Sequence, residues 1–376
     1  MKHYTFLDLG IVNEPYFAEL SEAASRVIES GRYIGGREVD CFEENIASAC
    51  DAPMAIGTSN GLDALRLILL GYKELRMLKD GDEVIVPANS FIASALAVAH
   101  CGLKPVFAEP DYDLMVMTGR SMEPFVSDRT RAIMPVDLYG RVAWDDDMAK
   151  IVSRHNLLVI EDAAQAIGAR SPVKGLFGSH KAGALGHAGA FSFYPTKNIG
   201  ALGDAGAVIT HDARLAETIR ALANYGRSPK SDSYDYRGFN CRLDPIQAAL
   251  LNVKLKYLQR ENADRFARAT AYNNTIHHPM VKTPLITAYV NDCVWHQYVI
   301  RCERRDDLRK WLSDNGVESA IHYSSPLHRS PCMAEYATHP LPVSERLANE
   351  VISLPIASGT SVKDASDIGR IINEFK

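Results

Sequence analysis

The chain has 376 residues, of which 47% are hydrophobic and 23% charged, and its formal net charge is -5 at pH 7. This is the composition of a globular protein, and its length exceeds the roughly 100–200 residues of a single domain, so we expect two domains. The slightly acidic balance argues against a nucleic-acid-binding or anionic-membrane-binding protein, because those partners require a basic surface.

The cysteines and the apolar segments indicate a reducing, cytoplasmic setting. The seven cysteines are scattered, odd in number and without a CxxC pair, which argues against a disulfide framework and a zinc site. Residues 1–10 lack the apolar centre of a signal peptide. The longest apolar-leaning stretch, residues 91–103, is shorter than the about 20 residues that span a bilayer.

The first two-thirds of the chain alternates short apolar runs with amphipathic stretches. The apolar runs predict buried strands at residues 84–86, 132–134, 157–160 and 207–209. Helical patterns lie between them, as in residues 62–69, where leucine and isoleucine recur at helical spacing. This alternation predicts an α/β fold with a mostly parallel sheet and helices on both faces. In such sheets, ligands bind beyond the carboxyl ends of the strands.

The last third of the chain has a different pattern. Residues 245–274 predict one long helix with Pro245 in its first turn. Residues 295–302 alternate like a half-exposed strand, and residues 306–315 predict a short helix ended by Gly316. This order of elements predicts a second, smaller α/β domain.

A glycine-rich turn at residues 57–61 directly precedes the predicted helix at 62–69. The first N–H groups of a helix have no acceptor within the helix, and the helix dipole is positive at this end. The turn is therefore a candidate phosphate site, with an ordinary loop and helix cap as the alternative.

An apolar strand ends in the acidic pair Glu161 and Asp162. The pair would stand at the carboxyl edge of the sheet, where a carboxylate can neutralise a cationic ring nitrogen. Binding a metal ion or capping the next helix are alternative roles for the same residues.

Lys197 lies among aromatic residues, small residues and proline, in residues 190–200. Most lysines are solvated surface residues, but this surrounding predicts partial burial. Burial lowers the pKa of a lysine, and its neutral amine can then form a Schiff base. An anion site, an acid and a buried lysine are together the parts that a pyridoxal phosphate (PLP) site needs.

With these motifs in this order, the chain resembles the DegT/DnrJ/EryC1/StrS family of sugar aminotransferases, which are PLP enzymes of fold type I. The motifs that carry the resemblance are residues 30–36, 57–61, 161–166, 192–206, 238–249 and 321–323. The resemblance implies a large PLP-binding domain at residues 1–250, with an N-terminal arm and a mostly parallel seven-stranded sheet flanked by helices. It implies a smaller C-terminal α/β domain at residues 251–376.

The resemblance also assigns the cofactor site. It implies that Lys197 carries PLP as an imine, that Asp162 pairs with the protonated pyridine nitrogen, and that Gln165 contacts the phenolic oxygen. The phosphate ligands that it implies are Ser59, Asn60 and Ser192. Pyridoxamine phosphate (PMP) is the implied intermediate form of the cofactor.

A homodimer with shared active sites is a further implication. In the family, the segment that holds Asn240 and Arg242 reaches the cofactor site of the neighbouring subunit. Tyr33 and His322 stand where the family contacts the nucleotide-sugar, and a structural histidine is the alternative for His322.

Three stretches narrow the expected substrate. Residues 197–206 resemble the branch of the family that acts on 3-keto sugars, and residues 60–69 and 87–94 are similar to enzymes that make dTDP-3-amino-3,6-dideoxyhexoses. The resemblance thus implies amination of a dTDP-linked 3-keto-6-deoxyhexose, with L-glutamate as donor and 2-oxoglutarate as product. The product would serve deoxyamino-sugar biosynthesis for lipopolysaccharide, another surface polysaccharide or a glycoconjugate. A UDP-linked 3-keto sugar, a 4-keto sugar and a non-catalytic regulator of the same fold are the alternatives.

Two other functions are disfavoured. A sugar dehydratase of this fold would have histidine in place of Lys197. A dinucleotide-binding protein would show a GxGxxG motif after its first strand, and none occurs there.

The sequence departs from the family pattern at two positions. Ile167 and Asp137 stand where the family often has histidine. The first departure removes a polar contact near the cofactor, and the second is expected to alter stacking on the ring or sugar selectivity.

Overall fold

The computed structural model describes residues 2–228, 231–289 and 291–376. The helices are α1 (Leu9–Asn13), α2 (Phe17–Ser30), α3 (Arg37–Ala49), α4 (Gly61–Glu74), α5 (Ile92–His100), α6 (Gly119–Met122), α7 (Asp146–His155), α8 (Ala213–Ala223), α9 (Pro245–Leu255), α10 (Leu258–Thr275), α11 (Arg305–Asp314), α12 (Pro342–Glu350) and α13 (Val362–Asn373). Short 3-10 helices are Glu14–Tyr16, Glu123–Phe125, Leu138–Gly140, Leu327–Arg329 and Pro331–Tyr336.

The larger sheet has seven strands in the order β1-β7-β6-β5-β4-β2-β3. They are β1 (Met54–Thr58), β2 (Glu83–Pro87), β3 (Lys104–Ala108), β4 (Thr130–Ile133), β5 (Leu158–Asp162), β6 (Ala188–Ser192) and β7 (Gly206–Thr210). In this sheet β7 runs opposite to the other six strands, which are parallel to one another. The four predicted strands correspond to β2, β4, β5 and β7, and the expected mostly parallel α/β fold is confirmed.

Both faces of this sheet are covered, which explains why its strands are apolar without interruption. In β2, Ile85 enters one core with Phe42, while Val84 and Val86 enter the other with Leu65. The side chains alternate across the strand, as its pleat requires. Helices on either face therefore hold the carboxyl ends of the strands in fixed positions.

A smaller sheet forms from the last third of the described chain. Its antiparallel strands are β8 (Val281–Lys282), β9 (Tyr298–Cys302) and β10 (Val351–Leu354), with β9 in the centre. Helices α10, α11 and α13 cover it, and their core includes Tyr272, Leu308 and Ile368. The two sheets fall on either side of residue 250, but the division at 250 stays a prediction, and it lies inside α9.

The predicted half-exposed strand at residues 295–302 is wrong in its exposure, because β9 is buried along its whole length. Tyr298 and Ile300 face the core of the small sheet. Val299 packs with Tyr139 and other residues from the segments that connect β3, β4 and β5 of the large sheet, and Arg301 is only 4% exposed. Both faces of this strand are therefore covered, and the alternation separates two cores rather than a core and solvent.

The single helix predicted at residues 245–274 is also wrong, because the structure has two helices, α9 and α10. A turn at residues 256–257 separates the two helices, and Tyr257 there has a φ of -102° and a ψ of -2°. The ring of Tyr257 lies 4.9 Å from that of Tyr16, and its hydroxyl donates to Glu19. The break is thus accompanied by contacts with the N-terminal segment, which helical periodicity does not encode.

None of the helices in the described residues is long and apolar enough to cross a membrane.

Candidate active site

The residues of the three sequence motifs meet at one edge of the large sheet. Thr58 at the end of β1 and Ser192 at the end of β6 both pair with Gly206 of the intervening strand. Asp162 ends β5, which is the other neighbour of β6. Lys197 follows β6 by a short loop. The order of strands therefore brings together residues that lie far apart in sequence.

The start of α4 forms a cradle at this edge. Asn60 caps the helix by accepting a 2.8 Å hydrogen bond from the N–H of Asp63. The N–H groups of Gly61 and Leu62 have no acceptor within the helix, so they remain available to an anion. A Cβ atom at Gly61 would lie 2.7 Å from the Cβ of Ser192, so glycine is required for this close approach.

The two predicted phosphate ligands before α4 are tied to an acidic side chain in this structure. Ser59 donates a 2.6 Å hydrogen bond to Asp63, and the amide of Asn60 donates one of 3.0 Å to the same carboxylate oxygen. Their positions next to the free N–H groups suit an anion. Their role as phosphate ligands remains a prediction.

Asp162 is the acid of this site. Its carboxylate accepts a 2.6 Å hydrogen bond from Ser94 and one of 3.2 Å from the N–H of Ala164. Burial raises the pKa of Asp162, while these two donors and the nearby Lys197 act in the opposite direction. A cationic group placed beside this carboxylate would stabilise its charged form.

Glu161, the other member of the acidic pair, has a structural role. Its carboxylate accepts hydrogen bonds of 2.7–2.9 Å from the N–H groups of Gly183, Leu185 and Gly186. Burial raises its pKa to about 7 in spite of these donors. Neighbouring positions on a strand point to opposite faces, which leaves Asp162 alone at the site.

The amine of Lys197 has no hydrogen-bond or ion-pair partner among the residues that the structure describes. Its side chain is partly buried, and its backbone N–H donates to Tyr194. Burial lowers the pKa of Lys197 to about 8, against the opposing effect of Asp162. A substantial fraction of this amine is therefore neutral, and hence nucleophilic, in mildly alkaline solution.

Two neutral histidines lie near this amine. Burial lowers the pKa of His322 to about 4, with Lys197 as a second cause. His296 is also buried, and its pKa is well below the usual value, chiefly for the same reason. His322 forms a 2.8 Å hydrogen bond with the hydroxyl of Ser353. The structure is therefore compatible with both roles considered for His322, a structural histidine and a residue of the site.

Gln165 is oriented by a backbone hydrogen bond. Its side-chain oxygen accepts a 2.7 Å hydrogen bond from the N–H of Tyr139, so the amide nitrogen faces the other way. That nitrogen donates to the hydroxyl of Tyr323 at 3.3 Å. A donor in this position suits an anionic oxygen, as the sequence analysis expects.

Two residues at the site were missed by the sequence analysis. Ser94 supplies the closest donor to Asp162, but a serine on a helix gives no signal of that role. Phe91 is 53% exposed at the start of α5, and its ring lies 5.6 Å from that of Tyr323. An exposed aromatic before a helix could have been noticed as a candidate contact for a flat ligand.

Three predicted residues lie at the border of this cluster or outside it within a single chain. Tyr33 is 58% exposed, and its hydroxyl donates to the backbone of Ile28 at the end of α2. Asn240 is exposed. Arg242 lies beside Thr58 and donates a 2.8 Å hydrogen bond to Asn224. The predicted roles of the three residues remain predictions.

The two departures from the family pattern are both buried. Ile167 packs in the core of the large sheet. Asp137 accepts a 2.9 Å hydrogen bond from the N–H of Ala143, and its second carboxylate oxygen has no partner in the described chain. Burial, together with Glu161 and Asp162, raises the pKa of Asp137 well above its usual value.

The whole chain is similar to known aminotransferases. A transaminase for dTDP-3-amino-3,6-dideoxy-alpha-D-galactopyranose from Aneurinibacillus thermoaerophilus is 41% identical over 98% of this chain and 99% of its own. The structure of S. venezuelae DesV in complex with a ketimine intermediate has a TM-score of 0.91 at 40% identity, covering 100% of this chain and 98% of that one. The structure of NtdA from Bacillus subtilis with bound cofactor PMP has a TM-score of 0.88 at 26% identity, covering 100% and 86%.

The model of the DegT/DnrJ/EryC1/StrS aminotransferase family matches residues 17–373, which is nearly the whole chain. Together with the relatives above, this match shows that the chain belongs to the DegT/DnrJ/EryC1/StrS aminotransferase family, whose members depend on PLP.

Proposed function

We propose that this aminotransferase moves an amino group from L-glutamate to C-3 of a dTDP-linked 3-keto-6-deoxyhexose. The observation that carries the proposal is the amine of Lys197, which is partly buried, has a lowered pKa and lies near Asp162. The choice of sugar is supported by the 41% identity to a dTDP-3-amino-3,6-dideoxyhexose transaminase. We assign the product to deoxyamino-sugar biosynthesis for lipopolysaccharide, another surface polysaccharide or a glycoconjugate.

The site fits PLP in the chemistry of its groups. The free N–H groups at the start of α4 suit a phosphate, and the carboxylate of Asp162 suits a protonated ring nitrogen. The amide nitrogen of Gln165 suits the phenolic oxygen. When bound there, PLP supplies an electron sink for the negative charge that forms when an amino acid loses its α-proton.

Lys197 has two tasks in this proposal. Its amine would hold the cofactor covalently in the resting enzyme and would be free for proton transfer once the amino donor is bound. The free amine would take the proton from the α-carbon of glutamate and, in the second half of the reaction, would deliver a proton to C-3 of the sugar. A pKa of about 8 suits both directions of transfer, because the amine is close to half protonated near that pH.

The aromatic side of the site is the proposed sugar side. Phe91 and Tyr323 form a partly exposed aromatic pair, and the ring of neutral His322 lies 5.5 Å from that of Tyr323 and near the charge of Lys197. Neutral imidazole can both donate and accept hydrogen bonds to a hydroxylated ligand. Tyr33 would join this side, and Asn240 and Arg242 would come from the second subunit of a homodimer with shared active sites.

A two-stage assay tests the function. The PLP-loaded protein is first mixed with L-glutamate, and the visible absorption of the lysine-linked cofactor is expected to disappear as 2-oxoglutarate forms. The charged protein is then offered a dTDP-linked 3-keto sugar, a UDP-linked 3-keto sugar and a 4-keto sugar, and the aminated product is identified by mass spectrometry. Preference for either alternative sugar would contradict the assignment of the acceptor. No 2-oxoglutarate from a protein that binds PLP would favour the regulator.

A further inference from the structure

The loop that carries Lys197 is fastened to helix α9 at two points. We define residues 193–203 as the lysine loop. The backbone N–H of Leu202 donates to the side chain of Gln247 at 2.9 Å. The ammonium group of Lys254, which lies almost two turns further along the helix, donates to the carbonyl of Gly200 at 2.6 Å. Helix α9 thereby holds a donor and an acceptor of the same loop.

Lys254 is an unusual residue to find inside the protein. It is 5% exposed, and it has no ion-pair partner in the part of the chain that the structure describes. Burial lowers its pKa to about 8, opposed by the charge of Glu261. An apolar side chain of similar length would fill the same space without this desolvation cost. Within the described residues, the carbonyl of Gly200 is the one hydrogen-bond partner of its amine.

The backbone at Gly200 is packed in such a way that holding it fixes the whole turn. A Cβ atom at Gly200 would lie 2.2 Å from the carbonyl oxygen of Pro195, so the two ends of the turn are in close contact. Lys197 lies between them, and its N–H donates to Tyr194 at 2.8 Å. Moving the Gly200 carbonyl outward would therefore move Lys197 with it.

We propose that Lys254 is a positioning residue, which fixes the depth of the Lys197 amine in the site by holding the carbonyl of Gly200. This inference rests on the proposed function only in taking Lys197 as the reacting amine. Lys254 acts through the loop, because its amine is bonded to backbone and not to a group of the site. Its loss would let the loop relax and let water reach Lys197.

The test measures Lys197 in the cofactor-free protein. The variants are Lys254→Met and, as the matched control, Lys256→Met, which removes the same charge from an exposed position at the end of the same helix. An amine-specific acylating reagent is applied across a pH series, and labelling of the Lys197 peptide is quantified by mass spectrometry. Circular dichroism and thermal melting establish that each variant is folded.

In the wild type and in Lys256→Met, the labelling midpoint is expected near pH 8, the pKa of the buried amine. In Lys254→Met it is expected to rise by about one unit, which is a tenfold smaller neutral fraction at neutral pH. Lys254→Arg, which keeps a long cationic donor, is expected to restore the wild-type midpoint. An unchanged midpoint in folded Lys254→Met would overturn the inference.

A second variant covers the case in which Lys254→Met does not fold. Lys254→Gln keeps a polar group, but its side chain is one atom shorter and cannot hold Gly200 in the same place. The same rise in midpoint is expected, and a wild-type midpoint would refute the positioning role. The labelling readout needs neither cofactor nor sugar, so it is independent of the activity assay. If the wild type has no transaminase activity but the Lys254 variants still raise the midpoint, the proposed function is refuted and the positioning role of Lys254 is retained.

Discussion

The cofactor side and the sugar side of the candidate site are built differently. On the cofactor side, Asp162 and Gln165 are buried and held by hydrogen bonds to backbone or to neighbouring side chains. On the sugar side, Tyr33 and Phe91 are more than half exposed, at 58% and 53%. The residues proposed to bind the cofactor are therefore held in place within one chain, while those proposed to bind the sugar offer open surface that a substrate or a second subunit can cover.

Among the substitutions that test this comparison, replacing the reacting amine should lower turnover the most. Lys197→Ala is expected to lower turnover by at least about 10⁴-fold, because one residue supplies both covalent attachment and proton transfer. The melting temperature should change little, since the amine has no partner among the described residues whose loss would weaken the fold. Coupled detection of 2-oxoglutarate gives the rate, and retained transamination would refute the assignment.

Removing the charge of the acid should have the next largest effect. Asp162→Asn is expected to lower turnover by about 10²–10³-fold, the range seen when one electrostatic stabiliser is lost. The cofactor-free variant should nevertheless be more stable than the wild type near pH 7. Lower stability of this variant at pH 7 would contradict the buried, destabilised carboxylate.

The sign of that stability change follows from the raised pKa of Asp162. When the folded pKa lies above the unfolded value, the unfolded state binds fewer protons in the window between them, so stability falls as pH rises. Asparagine does not titrate, so the Asp162→Asn variant does not lose stability in this pH window. Urea unfolding at several pH values should therefore show a difference that grows above the ordinary value of 3.8 and disappears below it.

Weakening the support of the acid should give an intermediate effect. Ser94→Ala removes the 2.6 Å hydrogen bond to Asp162 and is expected to lower turnover by about tenfold, since a bond to a charged group contributes about 1.5–3 kcal/mol. Ser90→Ala is the control, because Ser90 is also buried nearby but bonds to the backbone of Pro87. Equal losses in both variants would show that the effect is general destabilisation.

The sugar side should give the smallest effect, confined to substrate binding. Tyr33→Ala is expected to raise the KM for the nucleotide-sugar about fivefold, or about 1 kcal/mol, with the glutamate half-reaction unchanged. The control is Phe177→Ala, because Phe177 is similarly exposed but lies away from the site. Its ring stacks on His211, which follows β7, and the antiparallel β7 ends at the edge of the sheet opposite to the site. A slower glutamate half-reaction would place Tyr33 on the cofactor side.

The sequence predicted features that are encoded by neighbouring residues and missed those that depend on distant contacts. Four strands of the large sheet and the placement of Lys197 and Asp162 at its carboxyl edge were predictable, because each is encoded locally, by an apolar run, a turn or a strand end. Ser94 and Lys254 were not, since their partners are 68 and 54 residues away and no local pattern marks them. The break at Tyr257 was missed for the same reason, because it involves contacts with α2 and the residues before it.

The most direct test of the central claim is to find where PLP attaches. The PLP-loaded protein is reduced with borohydride, digested and analysed by mass spectrometry, with Lys197→Ala and Lys256→Ala treated in parallel. The account predicts one stoichiometric phosphopyridoxyl group on Lys197, retained in Lys256→Ala and absent in Lys197→Ala. Attachment at another lysine, or none in a folded protein at saturating PLP, would contradict the account.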